Sequence, residues 1–337
     1  MGLVGINSRV EQLNSLLAIG SEDVRIIGIW GTGGMGKTTL ARVVYNMVSD
    51  QFEACSFIKD VRENSKKITW LQKKILKKLL KCKDVEVEDV NNGVLMLKNR
   101  LCRKKILLVL DDVNQLEQVD KLAGGRDWFG PGSRVMITTR DKHLLVKYGP
   151  KYIYEVEPLN NDEALQLFSL KAFEKDHPDI DYMELSQAFV CYSQGLPLAL
   201  EVLGSFLMNR SIEDWKSQLE GLEKYPKRKI LDVLEISFDG LEEMEKEIFL
   251  NIACFFNRES QETIKEILDI LGLSTKIGLS VLSEKSLIKL SGNHVWMHDL
   301  LQEMGRDIVR RECDDPGKRS RLWLYGDIDS VLRKNTV

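Results

Sequence analysis

The residues of this chain that could do chemistry are concentrated in one stretch, Gly31-Thr32-Gly33-Gly34-Met35-Gly36-Lys37-Thr38-Thr39. The order satisfies G-x-x-x-x-G-K-[ST], a loop whose glycines let successive backbone N–H groups turn inward around phosphate. A helix starting at the lysine adds the partial positive charge of its N-terminus. Lys37 is then placed to set its ammonium against the β- and γ-phosphates, and the Thr38 hydroxyl to ligate Mg2+. The expected ligand is an adenine or guanine nucleotide, cradled by Gly31, Gly33, Gly34, Met35, Gly36, Lys37, Thr38 and Thr39. A chance match would be a glycine-rich turn without a buried strand before it and a helix after it; this sequence offers both.

Two carboxylates support the loop. The apolar run Ile106–Leu110 ends in Asp111-Asp112, and the carboxyl ends of buried parallel strands are where such sheets bind ligands. Asp111 is the expected partner of Mg2+, acting through water, while Asp112 is placed to orient or deprotonate an attacking water. The plainer alternative is a pair that ends the strand and caps the next helix. Arg140 closes the segment Ser133-Arg-Val-Met-Ile-Thr-Thr-Arg140. It could reach a γ-phosphate, although on pattern alone a solvated surface arginine fits nearly as well.

The elements that must position these groups alternate in the first half. Val24–Trp30 reads as a strand, Lys37 to Val48 as a helix, and Cys55–Val61 as a second strand. A Lys-rich amphipathic helix follows, with Ile68, Leu71, Ile75 and Leu79 at helical spacing. Its lysines, from Lys66 to Lys83, read as a solvated face rather than a nucleic-acid surface. Ile106–Leu110 is apolar throughout, as expected of a strand covered on both faces, and Val135–Thr138 and Tyr152–Val156 supply two more. This alternation predicts a doubly wound α/β domain with a parallel sheet, ending near residue 156. From Asn160 to about Tyr225 the spacing is helical, with breaks at His177-Pro178 and Gly195-Leu196-Pro197. After Pro226, helices are expected over Leu241–Phe255, Gln261–Leu271 and Lys276–Glu284. A hairpin of Leu287–Leu290 and His294–Met297 follows, then a helix from Asp299. Three helices and a hairpin are the pattern of a winged helix. From about Asp314, Pro316-Gly317 and mixed charge read as a linker.

Composition narrows the class. A chain of 337 residues is too long for one core and should divide into two or three domains. Its net charge of −3 gives no global attraction to nucleic acid or to an anionic membrane. No apolar run is long enough to span a bilayer, and the start lacks the regions of a signal peptide. Met1-Gly2 hints at myristoylation, but Ile6 stands where Ser or Thr is wanted. Cys55, Cys82, Cys102, Cys191, Cys254 and Cys313 are scattered, which favours reduced thiols and a cytoplasmic or nuclear home. With four histidines in the chain, and His294 and His298 set apart by a strand end, zinc is not expected.

Further motifs complete a recognisable series. The glycine-rich loop, Ile106-Leu-Leu-Val-Leu-Asp-Asp-Val113, Gly132-Ser-Arg-Val-Met-Ile-Thr-Thr-Arg140, Gly195-Leu-Pro-Leu-Ala-Leu200 and Met297-His298-Asp299 occur in order. The series resembles the NB-ARC module of plant NLR immune receptors, within the STAND class of P-loop ATPases, from Leu3 to about Arg311. Val113-Asn114 after the two acids, Phe249–Phe256 and Met297–Gly305 look like the TIR-type branch of that family. The resemblance implies a P-loop nucleotide-binding domain over 1–154, a helical ARC1 domain over 155–236 and a winged-helix ARC2 domain over 237–312. Residues 313–337 would then lead toward leucine-rich repeats. A TIR domain precedes such a module in the family, so the chain is expected to be the central part of a larger receptor.

The resemblance also assigns roles. It implies ADP or ATP with Mg2+, Pro197 packing on the adenine, and His298 reaching the β-phosphate of ADP. Val4 and Gly5 would lie along the base, through backbone or apolar contact since Ile6 replaces the arginine common in relatives. Each has a local reading as well. Gly195 suits a left-handed helix cap with Pro197 in the next first turn, and Asp299-Leu-Leu-Gln302 reads as a capping box. The implied function is a switch, ADP-bound when inhibited and exchanging to ATP for homo-oligomerisation and defence signalling. Its partners would be nucleotide and the receptor's own TIR and leucine-rich-repeat domains, with no DNA and no membrane, and at most slow hydrolysis of ATP. A turnover ATPase and a DNA-binding regulator are the alternatives, the latter weakened by few base-reading side chains in Lys276–Glu284.

Overall fold

In the computed structural model, residues 3–80, 84–223 and 230–334 are described, and the chain divides into two compact units, Met1–Glu157 and Pro158–Val337. Met1-Gly2, Cys82, the end of the lysine run at Lys83 and the break at Pro226 lie outside the described residues.

The first unit is built as the alternation predicts. Its elements are α1 (Ile6–Leu17), β1 (Arg25–Trp30), α2 (Lys37–Val48), β2 (Ala54–Ile58), α3 (Ile68–Leu80) and α4 (Val90–Leu101), then β3 (Ile106–Val113), α5 (Leu116–Leu122), β4 (Arg134–Thr139), α6 (Lys142–Tyr148) and β5 (Tyr152–Glu155). The five strands form a parallel sheet in the order β2-β3-β4-β1-β5. Side chains alternate across such a sheet. Ile26, Leu108, Leu110, Val135 and Ile137 join Leu71, Ile75, Leu97, Val119 and Leu145 in one core under α3–α6. The other face is packed by α2, against which α1 lies.

Arg134 starts β4 and is wholly buried, yet it is no misplaced charge. Its guanidinium donates to the carbonyls of Leu17, Asp23 (2.5 Å), Ser133 (2.8 Å), Ala18 (2.8 Å) and Ser21 (3.1 Å). A buried cation is tolerated when its donors are satisfied in this way. The result is a staple that fixes the end of α1 to the sheet. Gly5, with φ of 65°, opens that helix, and its carbonyl accepts from Arg9.

The second unit begins with α7 (Asn161–Ala172), α8 (Met183–Ser193), α9 (Pro197–Leu207), α10 (Ile212–Glu223) and α11 (Ile230–Asp239). Trp215 is their centre: its ring lies 5.8 Å from Phe168 and 5.7 Å from Phe189, both edge-on, and its Nε1 donates to the Leu207 carbonyl. Edge-to-face packing with a satisfied N–H is what lets an indole be fully buried. Then come α12 (Glu243–Asn251), a π-helical turn (Ile252–Phe256), α13 (Gln261–Ile270), α14 (Thr275–Glu284), the hairpin of β6 (Lys289–Ser291) and β7 (His294–Trp296), and α15 (Asp299–Glu312). These are the three helices and wing read from the sequence. The stretch after residue 312 carries α16 (Tyr325–Lys334), and Arg321 ahead of it is buried against Glu247 of α12 at 2.5 Å.

The π-turn and α15 meet closely. A Cβ on Gly305 would fall 2.7 Å from the Ala253 Cβ and 3.0 Å from the Phe249 ring. Gly305→Ala should therefore destabilise the chain by about 1–3 kcal/mol through overpacking, more than the ~1 kcal/mol that helix propensity returns. Gly326→Ala in α16, where no atom lies within 4 Å, should be neutral or stabilising. Urea denaturation of the two variants checks the contrast.

Candidate functional site

The loop between β1 and α2 takes the conformation its glycines permit. Gly34 and Gly36 have φ of 80° and 82°, a left-handed geometry that few residues with a Cβ adopt without strain. Lys37 opens α2 and is only 8% exposed. Its Nζ donates to the carbonyls of Gly31 and Thr32, both at 2.7 Å, which holds the ammonium inside the loop. Burial is the main reason its pKa drops to about 8, and the positive charge of Arg140 adds to the drop. Met35 is buried, and Thr38 and Thr39 lie on the exposed side of the first turn.

The sheet order puts β4 between β1 and β3, so the loop and the acidic pair must be joined across it. Thr38 Oγ1 donates to Asp111 Oδ1 at 2.9 Å, and Thr138 Oγ1 of β4 donates to the same oxygen at 2.7 Å. Burial pushes the Asp111 carboxyl up, and these two hydroxyls pull against that shift. A β-bulge makes the arrangement possible. Leu110 pairs with Ile137 but Val113 with Thr139, so β3 carries one residue more than β4 over this span. Asp112 absorbs the extra residue with φ of 57°. Its N–H donates to Thr138 Oγ1 at 2.8 Å, and Thr139 Oγ1 donates to the Val113 carbonyl at 2.6 Å.

The bulge parts the two acids. Asp111 faces the loop, whereas Asp112 lies between two arginines. Its Oδ2 is 3.0 Å from Arg62 Nε and its Oδ1 is 3.4 Å from Arg140 Nε. Arg62 and Thr138 were not singled out by sequence. Thr138 stands in the same run as Arg140, but nothing local marks its hydroxyl as the one beneath the metal-type carboxylate. The donor set suits a magnesium polyphosphate: a loop with left-handed glycines, a buried ammonium, and a hydroxyl beside a carboxylate as hard oxygen ligands. Thr38 and Asp111 would hold the cation, which would neutralise phosphate charge.

Residues assigned in the second unit keep their local structures. Gln194 and Gly195, with φ of 51° and 68°, end α8, and Pro197 is in the first turn of α9. The expected cap at Asp299 is shifted by one residue. His298 is the N-cap of α15, its Nδ1 accepting from the Leu300 N–H at 3.1 Å, and Asp299 is the first helical residue. Gln302 is drawn away from the box: its Nε2 donates to the Ala253 carbonyl at 2.9 Å. Asn257, which sequence did not mark, holds the loop by accepting from Met297 N–H at 2.8 Å and donating to the Met297 carbonyl at 3.1 Å.

A parallel sheet with this loop after β1 and an acid at the tip of β3 defines a P-loop nucleotide-binding protein. A family model described as NB-ARC domain matches residues 6–178, and one described as disease resistance protein Roq1-like, winged-helix domain matches residues 242–313. This chain belongs to the NB-ARC family. It is 45% identical to disease resistance protein RUN1 of Vitis rotundifolia, over 98% of this chain and 25% of that protein. It is 44% identical to TMV resistance protein N of Nicotiana glutinosa, over 99% of this chain and 30% of that protein. The chain thus spans between a quarter and a third of these relatives. Among solved structures, a STAND protein with a tetratricopeptide repeat sensor from Pyrococcus horikoshii shares the fold, with a TM-score of 0.54 at 16% identity. That match covers 98% of this chain and 45% of the other. Among the described residues, no helix is long and apolar enough to cross a membrane.

Two outcomes follow from this geometry. Thr138→Val keeps the shape but removes a donor from a buried carboxylate, so it should cost about 1–3 kcal/mol of stability and weaken Mg2+-dependent nucleotide binding. Denaturant melts and titrations with and without Mg2+ check both. Phosphate binding favours a charged Lys37. Between pH 8 and the ordinary lysine range of 10.5, binding should take up a proton and affinity should fall by up to ~tenfold per pH unit. For the chain alone the sign reverses: burying the charge costs stability in full below about pH 8, and the cost is relieved as pH rises toward 10.5. Calorimetry at pH 9 in buffers of different ionisation enthalpy reads the uptake directly, and no uptake would remove Lys37 from the phosphates.

Proposed function

We propose that the chain is the nucleotide-operated switch of a plant immune receptor, inhibited with ADP and activated on exchange to ATP. The observation that carries this reading is the convergence of Lys37, Thr38 and Asp111 at the glycine-rich loop. Lys37 and the backbone of Gly31–Gly36 hold the phosphates, with Thr39 continuing the first turn. Thr38 and Asp111 hold Mg2+, and Val4 and Gly5 lie along the base. Arg140 responds to the γ-phosphate. Pro197 and His298 take the adenine-packing and β-phosphate roles that the family resemblance gives them. The proposed parts are residues 1–154, 155–236 and 237–312, with 313–337 leading on toward leucine-rich repeats.

A switch needs ADP and ATP to favour different conformations rather than rapid turnover. Slow hydrolysis fits the site. Asp112 has both carboxylate oxygens facing guanidinium groups, which compete with water for its lone pairs. Exchange to ATP leads to homo-oligomerisation, which gathers the receptor's TIR domains for defence signalling. The receptor works in the cytoplasm, with the nucleus as a second compartment, and neither DNA nor membrane is needed for the switch.

The purified chain should release stoichiometric ADP on denaturation, identified by chromatography, and Lys37→Arg should release little. A wild-type chain without nucleotide that turns ATP over at about 10 per second, in the range of ordinary enzymes, would overturn the switch.

A further inference from the structure

Each unit carries an exposed apolar residue set among charges, and the two sets are of opposite sign. From Ser65 to Leu80 the sequence has six lysines, Lys66, Lys67, Lys73, Lys74, Lys77 and Lys78, and no acidic residue. They stand three, four, seven or eight positions from Trp70, so they share its face of α3 and of the turn that leads into it. Trp70 is 49% exposed, with the Lys74 ammonium 4.8 Å from its ring centre. The opposite face, Leu71, Ile75, Leu76 and Leu79, is fixed in the core. Among the described residues, no carboxylate pairs with any of the six lysines. Burial first, and then the charges of Lys74 and Arg42, hold the Lys78 ammonium below the ordinary lysine range.

The second unit has the reverse arrangement between α7 and the first turn of α8. Residues 174–184 bring five carboxylates, Glu174, Asp176, Asp179, Asp181 and Glu184, against one lysine, Lys175, which is tied to Asp179 at 2.6 Å. Ile180 in their midst is 91% exposed, and Met183 is 36% exposed. The turn that presents them is rigidly held by Tyr182. Its N–H donates to the Asp179 carbonyl at 2.9 Å and its hydroxyl to the Arg210 carbonyl at 3.1 Å, and its ring lies 4.9 Å from that of Trp215. An isoleucine so exposed on a fixed turn contributes little to the fold of its own chain.

We propose that these two surfaces meet between copies of the chain, the Trp70 face of α3 on one copy receiving the Ile180 turn of the next. This deepens the switch reading and rests on its homo-oligomerisation. Each surface supplies what the other lacks. The indole, isoleucine and methionine give the contact an apolar centre, where aromatic residues contribute most, and the lysines and carboxylates form a charged rim that sets orientation. A lysine face cannot pair with its own copy, so the contact is head-to-tail. Each chain offers one surface of each kind, which builds rings or filaments rather than two-fold dimers. Duplex nucleic acid or anionic lipid would match the lysines and leave the acidic turn without a partner.

Sedimentation of the 337-residue chain at low salt, with Mg2+ and the non-hydrolysable β,γ-imido analogue of ATP, reads the assembly. The wild type should associate, and less so as added salt screens the rim. Reversing either surface, by Lys67→Glu with Lys77→Glu or by Asp181→Lys with Glu184→Lys, should weaken association by roughly tenfold or more. The two reversed chains, mixed, should form one-to-one dimers, since each keeps the surface the other has lost; chains that had failed to fold would not. Ile180→Ala, at a residue its own chain leaves exposed, should weaken assembly without lowering the denaturation midpoint. The proposal is overturned by a wild type that binds the analogue and stays monomeric, or by assembly that survives both reversals. It is also overturned if lysine reversal abolishes binding to phosphatidylserine vesicles or duplex DNA and leaves self-association intact. Failure of the switch reading looks different: assembly would then be the same with ADP as with the analogue, whatever the reversals do.

Discussion

The hydrogen bond from Thr38 Oγ1 to the Asp111 carboxylate joins two elements that the sheet keeps apart. The glycine-rich loop follows β1 and the acid lies near the end of β3, with β4 between them, so neither strand alone can bring hydroxyl and carboxylate together. Thr138 on the intervening strand closes the gap by donating to the same oxygen. Placing a carboxylate there is unfavourable, as burial raises its pKa, and it is tolerated because two hydroxyls are aimed at it. The bulge in β3 is part of the same constraint. A regular strand would send Asp111 and Asp112 to opposite faces of the sheet. The extra residue lets Asp111 stay under the loop while Asp112 turns to the edge, at the cost of a left-handed backbone that Asp bears better than most residues.

The second unit solves a comparable problem by different means. The histidine that follows β7 lies on a loop that has to be fixed beyond the end of the strand. Asn257 does this by treating Met297 as a paired strand would, accepting from its N–H and donating to its carbonyl. The π-helical turn just before Asn257 frees the Ala253 carbonyl, which accepts from both Gln302 and Arg306 of α15. The start of α15 is thereby tied to the turn at several points. His298 then serves the helix itself as cap, with Nδ1 as acceptor, so that in the neutral ring the proton is on Nε2.

What sequence could show depended on how local the cause was. The loop, the bounds of α2 at Lys37 and Val48, the buried strands and the helices-plus-hairpin pattern are set by spacing and residue type, and they were legible. The helix α11 was missed, as were the separate helices α1, α4, α5 and α6. β3 was read as ending at Leu110 because two acids look like a strand terminus, whereas it runs to Val113 through a bulge that only the pairing with β4 dictates. Arg134 looked like an ordinary strand residue; its burial follows from carbonyls more than a hundred positions earlier in the chain. His298 and Asp299 are both able to cap, and the choice between them goes with a loop held by Asn257, 40 residues upstream.

Arg62, Asp112 and Arg140 meet where solvent reaches them, with side-chain exposures of 30%, 18% and 28%. Ion pairs reached by solvent are worth about 0–1 kcal/mol each, since water competes for both charges and salt screens them. Buried to the degree of Arg134, the same pairs would be locked, and a ligand would have to replace them at a cost of several kcal/mol. At the edge of the sheet, solvent and salt weaken the pairs that Asp112 makes with Arg62 and Arg140. The backbone, by contrast, does not yield. Val61 and Arg62 are paired to β3, and Asp112 is fixed at both its N–H and its carbonyl. The side-chain ends of these ion pairs can therefore rearrange while the sheet that carries the loop stays fixed.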